Sequence, residues 1–312
     1  MSKILITGGA GFIGSHLVRE LAKEGHDIVV LDNLFRSKID SIKELIDAGE
    51  VKFIEEDIRN EEAVDKAMDG VDYVFHMAAV CINYSIKNPK ESTEINLNGS
   101  DNVFRCALKH NVKRVIFSSS ASVYGDPKVL PMKEDGPISP VTPYCIAKLA
   151  GEHLLKFYGR SGLKYNILRY FNVYGLGQTA DAYYTSVIIN FIKKILKKEA
   201  PIIDGEGKQS MDFVNVKDVV QANILAMKTD IDGETFNVGT GISTTIADLA
   251  AVLIKSLGVN VTPQFNKREV IVHERRADIS KIQNELGFKV TVKADDGLSE
   301  VAKDIAQNPE KY

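Results

Sequence analysis

Several features are scarce in this 312-residue chain, and each scarcity excludes something. Cysteine is one: Cys81, Cys106 and Cys145 stand far apart with no C-x-x-C pair, so neither a disulfide framework nor a zinc site is indicated. Such usage fits a reducing cytoplasm. Long apolar runs are also missing. The longest candidate, Tyr73 to Ile82, is interrupted by His76 and falls well short of the roughly 18 residues of a membrane span. At the start, Met1-Ser2-Lys3-Ile4-Leu5-Ile6 meets glycine before the core of a signal peptide could form. No sign of charge dominates: 39 Lys and Arg against 42 Asp and Glu give a net charge of -3, which argues against a broad nucleic-acid surface. Lys193-Lys194 and Lys197-Lys198 read as the solvated face of an amphipathic helix. What remains is an ordinary globular composition, 44% hydrophobic and 26% charged, long enough for one large domain or two modest ones.

The first 170 or so residues alternate short apolar runs with helical patterns. Lys3–Thr7, Asp27–Leu31, Val51–Glu55, Tyr73–His76, Arg114–Ser118 and Tyr165–Arg169 predict buried strands. Phe12–Glu24, Ser37–Ala48, Glu61–Met68, Ser92–His110 and Tyr144–Tyr158 predict the helices between them. That alternation predicts a doubly wound parallel sheet covered on both faces. After Gly175 the pattern changes to a helix at Thr185–Lys198, short strand-like pieces at Pro201–Ile203 and Met211–Val214, and turns at Asp204–Gly207 and Gly239–Gly241. A smaller second domain is the natural reading.

Directly after the first strand comes Thr7-Gly8-Gly9-Ala10-Gly11-Phe12-Ile13-Gly14, which holds G-x-G-x-x-G at Gly9, Gly11 and Gly14 and an overlapping triplet at Gly8, Gly11 and Gly14. The early glycines let the chain turn and bring bare N–H groups to a pyrophosphate, and Gly14 lets helix and strand pack closely. The anion then sits at a helix N-terminus. Asp32 follows 18 residues after Gly14, at the end of the second strand. Its carboxylate can accept from both adenosine ribose hydroxyls and repels a 2′-phosphate, which favours NAD over NADP; the alternative is that Asp32 only caps the next segment. Arg36 reads as an exposed loop arginine.

A second signal is Tyr144-Cys145-Ile146-Ala147-Lys148, behind Pro143 at the start of a helical pattern. Residues i and i+4 share a helix face, so the hydroxyl and the ammonium can point into one cleft. Bringing a tyrosine from its reference pKa near 10 to about 7 takes roughly 4 kcal/mol. An ammonium about 5 Å away supplies on the order of 3 kcal/mol at an effective dielectric of about 20, and a positive nicotinamide ring can supply the rest. Upstream, Ser118-Ser119-Ser120-Ala121-Ser122-Val123-Tyr124-Gly125 leaves the C-terminal end of the fifth strand, where open parallel sheets build their sites.

With these residues in view, the chain resembles an extended short-chain dehydrogenase/reductase of the NAD-dependent epimerase/dehydratase group that acts on nucleotide sugars. Matching stretches are Thr7–Gly14, Asp32-Asn33, Asp57-Ile58, His76–Ala79, Ser118–Gly125, Tyr144–Lys148, Arg169–Gly175, Gly205–Gln209, Asp212–Val214 and Ala277–Lys281. The resemblance implies a Rossmann-like sheet over residues 1–172, with about 212–240 returning to it, and a smaller C-terminal α/β substrate-binding domain mainly over 173–312. It implies an NAD site of Gly8, Gly11, Phe12, Ile13, Gly14, Asp32, Asn33, Asp57, Ile58, Ala78, Ala79, Tyr144 and Lys148. Ser120, Tyr144 and Lys148 would be the catalytic triad, with Ser120, Tyr144, Asn172, Gln178, Arg268 and Arg275 on a UDP-sugar. It also implies a homodimer built on the Ser92–His110 and Tyr144–Tyr158 helices, where Val103, Phe104, Leu154, Leu155 and Phe157 serve either the dimer or burial against the sheet.

The family's dehydratases carry an Asp-Glu pair after the catalytic Thr/Ser, and its sugar-acid decarboxylases place a Glu there; this chain has Ala121 and Ser122. The remaining equipment suffices for 4-epimerisation through a transient 4-keto sugar. Arginine forks suit the diphosphate. Arg268 is the first choice, with Arg275 and Arg276 either partners for it or a surface pair. Where many relatives have Gln-Thr-Arg-Asp-Phe, the chain reads Gln209-Ser210-Met211-Asp212-Phe213, and Met211 cannot pair a phosphate. The Arg169–Gly175 segment, Gln178 and Ala182–Ile188 resemble UDP-N-acetylglucosamine 4-epimerases, whereas Arg275 falls where the family gates the N-acetyl group with a small residue. The expectation is UDP-GlcNAc/UDP-GalNAc epimerisation, then UDP-glucose/UDP-galactose. UDP-glucuronate epimerisation, net reduction or dehydrogenation, and NAD sensing without catalysis are the alternatives.

Overall fold

A computed structural model describes residues 1–178, 186–267 and 274–312. Seven parallel strands form the central sheet: β1 (Lys3–Thr7), β2 (Asp27–Asp32), β3 (Val51–Glu55), β4 (Tyr73–His76), β5 (Arg114–Ser120), β6 (Tyr165–Tyr170) and, much later in the chain, Glu234–Val238. That last strand is β11 once the short intervening ones are numbered, β7 (Asn172–Tyr174), β8 (Ile202–Asp204), β9 (Ser210–Met211) and β10 (Phe213–Asn215). The order across the sheet is β11-β6-β5-β4-β1-β2-β3. The chain therefore leaves β1 in one direction for β2 and β3 and in the other for β4, β5 and β6. The crevice between the C-terminal ends of β1 and β4 is the switch point where open α/β sheets bind ligands.

Side chains alternate across each strand, so the sheet feeds two cores. Ile4, Ile6, Ile28 and Val30 face α1 (Phe12–Lys23), which supplies Leu17, Val18 and Leu21. Leu5, Val29 and Leu31 face the opposite way, toward α3 (Glu61–Ala67), which follows the short α2 (Lys43–Asp47). Each such fully buried aliphatic contributes about 1.5–3 kcal/mol.

On that second face the expected Ser92–His110 helix is interrupted. After α4 (Ile82–Lys87), the chain forms α5 (Pro89–Thr93), a π-helical turn at Glu94–Asn98, and α6 (Gly99–Lys109). The turn places Asn96 so that its amide accepts from the Val80 N–H at 2.8 Å and donates to the Val80 carbonyl at 3.1 Å, pinning the chain after β4. Ser37–Ala48 is also broken, into a 3₁₀ turn at Ile39–Ser41 and α2, because its serines are used elsewhere. Ser37 Oγ donates to Asp32 at 2.8 Å, and Ser41 Oγ donates to the Ala10 carbonyl at 2.7 Å. The long α7 (Pro143–Gly159) keeps its predicted place, with proline in its first turn and Thr142 Oγ1 capping the Cys145 N–H at 3.3 Å.

Beyond β7, α8 (Ser186–Leu196), α9 (Val216–Lys228) and α10 (Ile246–Leu257) are joined by α11 (Ser280–Leu286) and α12 (Ala294–Gln307). α9 packs on α1, and its Val219, Val220 and Ala222 enter the first core together with Ile279, Ile282 and Leu286 of the α11 region. A third core lies under α8, α10 and α12, around Ile192, Leu249, Leu253, Leu298 and Val301. The Met211–Val214 stretch is not one strand but two. β9 pairs with β12 (Thr244–Thr245) and with β14 (Glu274–Arg275), β10 pairs with β7, and β13 (Gln264–Asn266) pairs with β8. The break falls at Asp212, whose buried carboxylate accepts from Thr240 N (2.8 Å), Thr240 Oγ1 (2.7 Å), Gly241 N (2.9 Å) and Ala277 N (3.1 Å).

Candidate active site

A cavity of about 400 Å³ opens at the switch point, and all but one of the expected site residues line it. The exception is Arg268, which lies outside the described residues with most of the Ala182–Ile188 stretch.

At one end, Gly8, Gly11 and Gly14 bound the cavity and Gly9 does not, so the overlapping triplet is the one in use. Gly8 has φ +72°, and a Cβ there would stand 2.7 Å from Ala78 N. A Cβ on Gly14 would stand 2.3 Å from the Gly8 carbonyl oxygen. The cradle therefore exists only because three side chains are missing. Phe12, Ile13 and Gly14, whose first-turn N–H groups lack partners inside α1, line the same wall.

Asp32 is both a cap and a wall residue. It caps the following turn by accepting from Leu34 N (2.9 Å) and Ser37 Oγ (2.8 Å), and it lines the cavity. Its second oxygen accepts from Ala10 N at 3.1 Å, so the carboxylate is oriented by the glycine loop itself. Next to it, Asn33 donates to Asp57 at 2.8 Å, and Arg59 forks onto Asp57 at 2.9 and 2.8 Å. Burial works against the Asp57 charge, but these donors outweigh it and hold the carboxyl below its ordinary range. Ile58, Ala78, Ala79, Phe35 and Arg36 complete this end. The glycine cradle, with its free first-turn N–H donors, and the oriented acidic pair fit NAD.

At the other end, β5 and α7 bring Ser120, Tyr144 and Lys148 together. The Tyr144 hydroxyl is hydrogen-bonded to Ser120, whose Oγ also accepts from Ser122 N at 3.2 Å. Lys148 is 3% exposed, donates to the Ser118 carbonyl at 2.7 Å, and lies 5.9 Å from the centre of the Tyr144 ring. The electrostatics correct the expectation for this pair. Burial pushes the Tyr144 pKa above its ordinary value despite the bond to Ser120. Burial also pushes Lys148 down to about 7, with Glu152 opposing. The protein therefore does not generate a phenolate by itself: desolvation penalises both charged forms, and the ammonium is aimed at a backbone carbonyl. His76 is neutral for the same reason, its pKa driven by burial to about 3. It is wedged between Thr7 Oγ1 at 2.7 Å and Ser100 Oγ at 2.8 Å.

Asn172 and Gln178 reach the cavity from β7 and just beyond it. The Asn172 amide donates to the Asp212 carbonyl at 3.0 Å, and the Gln178 amide to the Val173 carbonyl at 3.2 Å. Of the arginine pair, the structure separates the two members. Arg275 is 5% exposed, lines the cavity and donates to the Gly125 carbonyl at 2.9 Å, whereas Arg276 is on the surface with Glu274 at 3.4 Å. Met211 is buried in the third core and does not line the cavity.

Three features went unread in the sequence. Cys81 lines the cavity wall. Ser122, which replaces the family's acidic residue, has a buried hydroxyl with no hydrogen-bond partner among the described residues. Glu152 and Arg169 form a buried ion pair behind Lys148. A serine or a helix-interior glutamate carries no local signal of such a role.

A dinucleotide crevice with a Tyr–Lys pair and a serine at its reacting end defines the short-chain dehydrogenase/reductase class. Within it, the chain belongs to the NAD dependent epimerase/dehydratase family, which it matches over residues 4–239. It is 36% identical over 310 residues to a putative UDP-glucose 4-epimerase of Methanocaldococcus jannaschii, covering 98% of this chain and 99% of that one. It is 34% identical to a UDP-N-acetyl-alpha-D-glucosaminuronate decarboxylase of Bacillus cytotoxicus, covering 96% of each. Among solved structures, it is similar to the UDP-glucose 4-epimerase of Thermotoga maritima with UDP-glucose (TM-score 0.91, 36% identity, 98% and 99% covered). It is equally similar to the UDP-N-acetylglucosamine 4-epimerase of Methanobrevibacter ruminantium with UDP-N-acetylmuramic acid (TM-score 0.91, 35% identity, 98% and 99% covered). The cofactor is NAD, and the relatives are nucleotide-sugar enzymes. Among the described residues no helix is long and apolar enough to cross a membrane.

Proposed function

We propose that the chain is a UDP-sugar 4-epimerase that interconverts UDP-GlcNAc and UDP-GalNAc and, second, UDP-glucose and UDP-galactose. One observation carries the reading: Tyr144, Ser120 and Lys148 meet at the end of β5 while the neighbouring positions are Ala121 and Ser122. A proton acceptor for a sugar hydroxyl is in place, and the acid–base pair for expelling water is not. As the phenolate, a form that the positive charges of Lys148 and of bound NAD would favour, Tyr144 accepts the C4 hydroxyl proton, with Ser120 bridging the two oxygens, and C4 becomes a ketone as its hydrogen leaves with two electrons. Bound NAD supplies the acceptor, and later the donor, of that hydride. Tyr144 then returns its proton after the ketosugar has turned its other face. Arg275, Asn172 and Gln178 hold the nucleotide end, so that the hexose is free to turn. In this reading residues 1–172, with about 212–240, serve the cofactor and the remainder serves the UDP-sugar.

Arg275 also supports a second substrate, UDP-glucuronate, because a buried guanidinium on the cavity wall can pair a sugar carboxylate. NMR of the mixtures formed from UDP-GlcNAc, UDP-glucose and UDP-glucuronate tests the assignment. The expected outcome is a C4-inverted product from one of them without stoichiometric NADH; NADH accumulating with product would make the chain a dehydrogenase. Tyr144→Phe should cut turnover by about 10²–10⁴ and leave NAD bound.

We further propose a cytoplasmic homodimer through α6 and α7. Ile146 and Phe157, 53% and 58% exposed on α7, support it, whereas Val103, Phe104 and Leu155 are fully buried against the sheet and serve packing instead. Sedimentation of Ile146→Glu/Phe157→Glu should show monomers where the parent chain is dimeric.

A further inference from the structure

Glu152 lies one helical turn beyond Lys148 on α7 and is 1% exposed. Arg169 on β6, 2% exposed, forks onto it, with Nε to Oε1 at 2.9 Å and Nη2 to Oε2 at 2.7 Å. Ser119 Oγ donates to the same Oε1 at 2.5 Å. Ser119 and Arg169 are register partners in the β5–β6 ladder, so one carboxylate ties the helix to two adjacent strands. Arg169 Nη1 is occupied by the Tyr124 hydroxyl and the Glu134 carbonyl, each at 2.9 Å. Neither Glu152 nor Arg169 lines the cavity.

The placement is selective. Tyr144, Lys148 and Glu152 stand at i, i+4 and i+8 of α7 and engage Ser120, the Ser118 carbonyl and the Ser119 hydroxyl of one strand end. A buried ion pair adds little to stability compared with apolar packing of the same volume, so its position here needs another account. We propose that Glu152 is a positioning residue for Lys148: gripped by the Arg169 fork and the Ser119 hydroxyl, its carboxylate stands one turn from the ammonium and locks α7 to the strand end that carries Ser118 and Ser120. This inference rests on the reading of Tyr144 and Lys148 as the reacting pair.

The other groups around Lys148 do not substitute for that charge. Tyr144 on the same helix and Tyr170 from β6 are neutral, each raised by burial above the ordinary tyrosine value. His76 from β4 is neutral, and β5 presents the Phe117 ring, 5.0 Å away. Arg169 from β6 carries the wrong sign and is spent on Glu152. Burial disfavours the ammonium, and Glu152 is the charge that opposes it.

The test is the pH profile of kcat/KM for the NAD-loaded enzyme with the UDP-sugar it epimerises. In Glu152→Gln the alkaline limb should move down by about one pH unit, a tenfold loss of protonated Lys148 at a given pH, with NAD affinity within about twofold. Glu152→Asp should restore most of the limb. An unshifted limb, with only a lower kcat or Tm, overturns the proposal. Should Glu152→Gln not fold, the apolar pair Glu152→Met/Arg169→Met is read in the same way, and an unshifted limb there overturns it too. Tyr144→Phe separates the two levels. If that variant remains active, the reading of the reacting pair fails; if it is inactive while the limb stays put, only the role of Glu152 fails.

Discussion

Residues 1–172 and residues 173–312 build their shares of the cavity in different ways. The first region lines it with runs of neighbours at strand ends: Gly11–Gly14 after β1, Asp32 and Asn33 after β2, Met77–Ile82 after β4 and Ser118–Ser122 at the end of β5. The second contributes single residues, Val173 and Arg275 from small two- and three-stranded sheets and Gln178 from the loop after β7. A wall of consecutive residues inherits the rigidity of a seven-stranded sheet. A wall of isolated residues depends on long-range pins, and Asp212 is the main one, since its carbonyl takes Asn172 while its N–H donates to the Arg275 carbonyl at 2.8 Å. The difference matches the chemistry proposed: the reacting centre rests on the sheet and the nucleotide end on a few buried residues held by long-range hydrogen bonds.

The hardest blow to that contrast should come from inside the rigid region. Arg169→Met leaves Glu152 without its ion-pair partner in the core, and breaking a buried pair in this way costs about 3–5 kcal/mol; denaturant unfolding reads it directly. Gly14→Ala comes next. Its Cβ would meet backbone atoms at 2.3 and 2.8 Å, which cannot swing aside. Overpacking of about 3 kcal/mol, or roughly a hundredfold in NAD affinity, should appear on titration. In the second region the effect should be on substrate alone. Arg275→Ala should raise KM for the UDP-sugar by about ten- to thirtyfold, the worth of a charge-assisted hydrogen bond, with NAD affinity unchanged. Arg276→Ala should stay within about twofold of the parent, and equal losses from both would erase the distinction between them.

The smallest effect is at Asp57. Its folded pKa is depressed, so the stabilisation it gains from Arg59 is present above the ordinary carboxyl value and is lost as the pH falls through the folded one. Arg59→Ala should cost under about 1 kcal/mol near pH 7, because the pair is partly exposed and screened. The gap to the parent should close below about pH 4, as unfolding curves across pH will show.

Much of the first region is legible residue by residue. Strand ends, the glycine triplet, Asp32 and the Tyr144–Lys148 spacing all follow from local periodicity and local sterics. The same reading stops at helices whose residues have other partners: Asn96 makes a π turn by bonding Val80, and Ser37 and Ser41 dissolve half a helix by bonding Asp32 and Ala10. It also misjudged the Tyr144–Lys148 electrostatics, since the spacing gives the distance between two groups but not how much water surrounds them. Arg275 and Arg276 show the limit most plainly. Adjacent and identical, they differ because Arg275 sits in β14, paired in parallel with β9, while Arg276 follows just past the strand.

What the amino-acid order determined alone is the run of strands and the main helices of the first region and the two motifs that lie within one element or across one turn, because glycine sterics and i, i+4 stacking are local forces. Tertiary structure decided which of the overlapping glycine triplets bounds the cavity and which arginine faces it. It also joined Glu152 to Arg169 and Ser119, and it buried Lys148 so that its pKa is lowered. Each of these depends on burial and on partners from distant segments, and desolvation is a property of the assembled core.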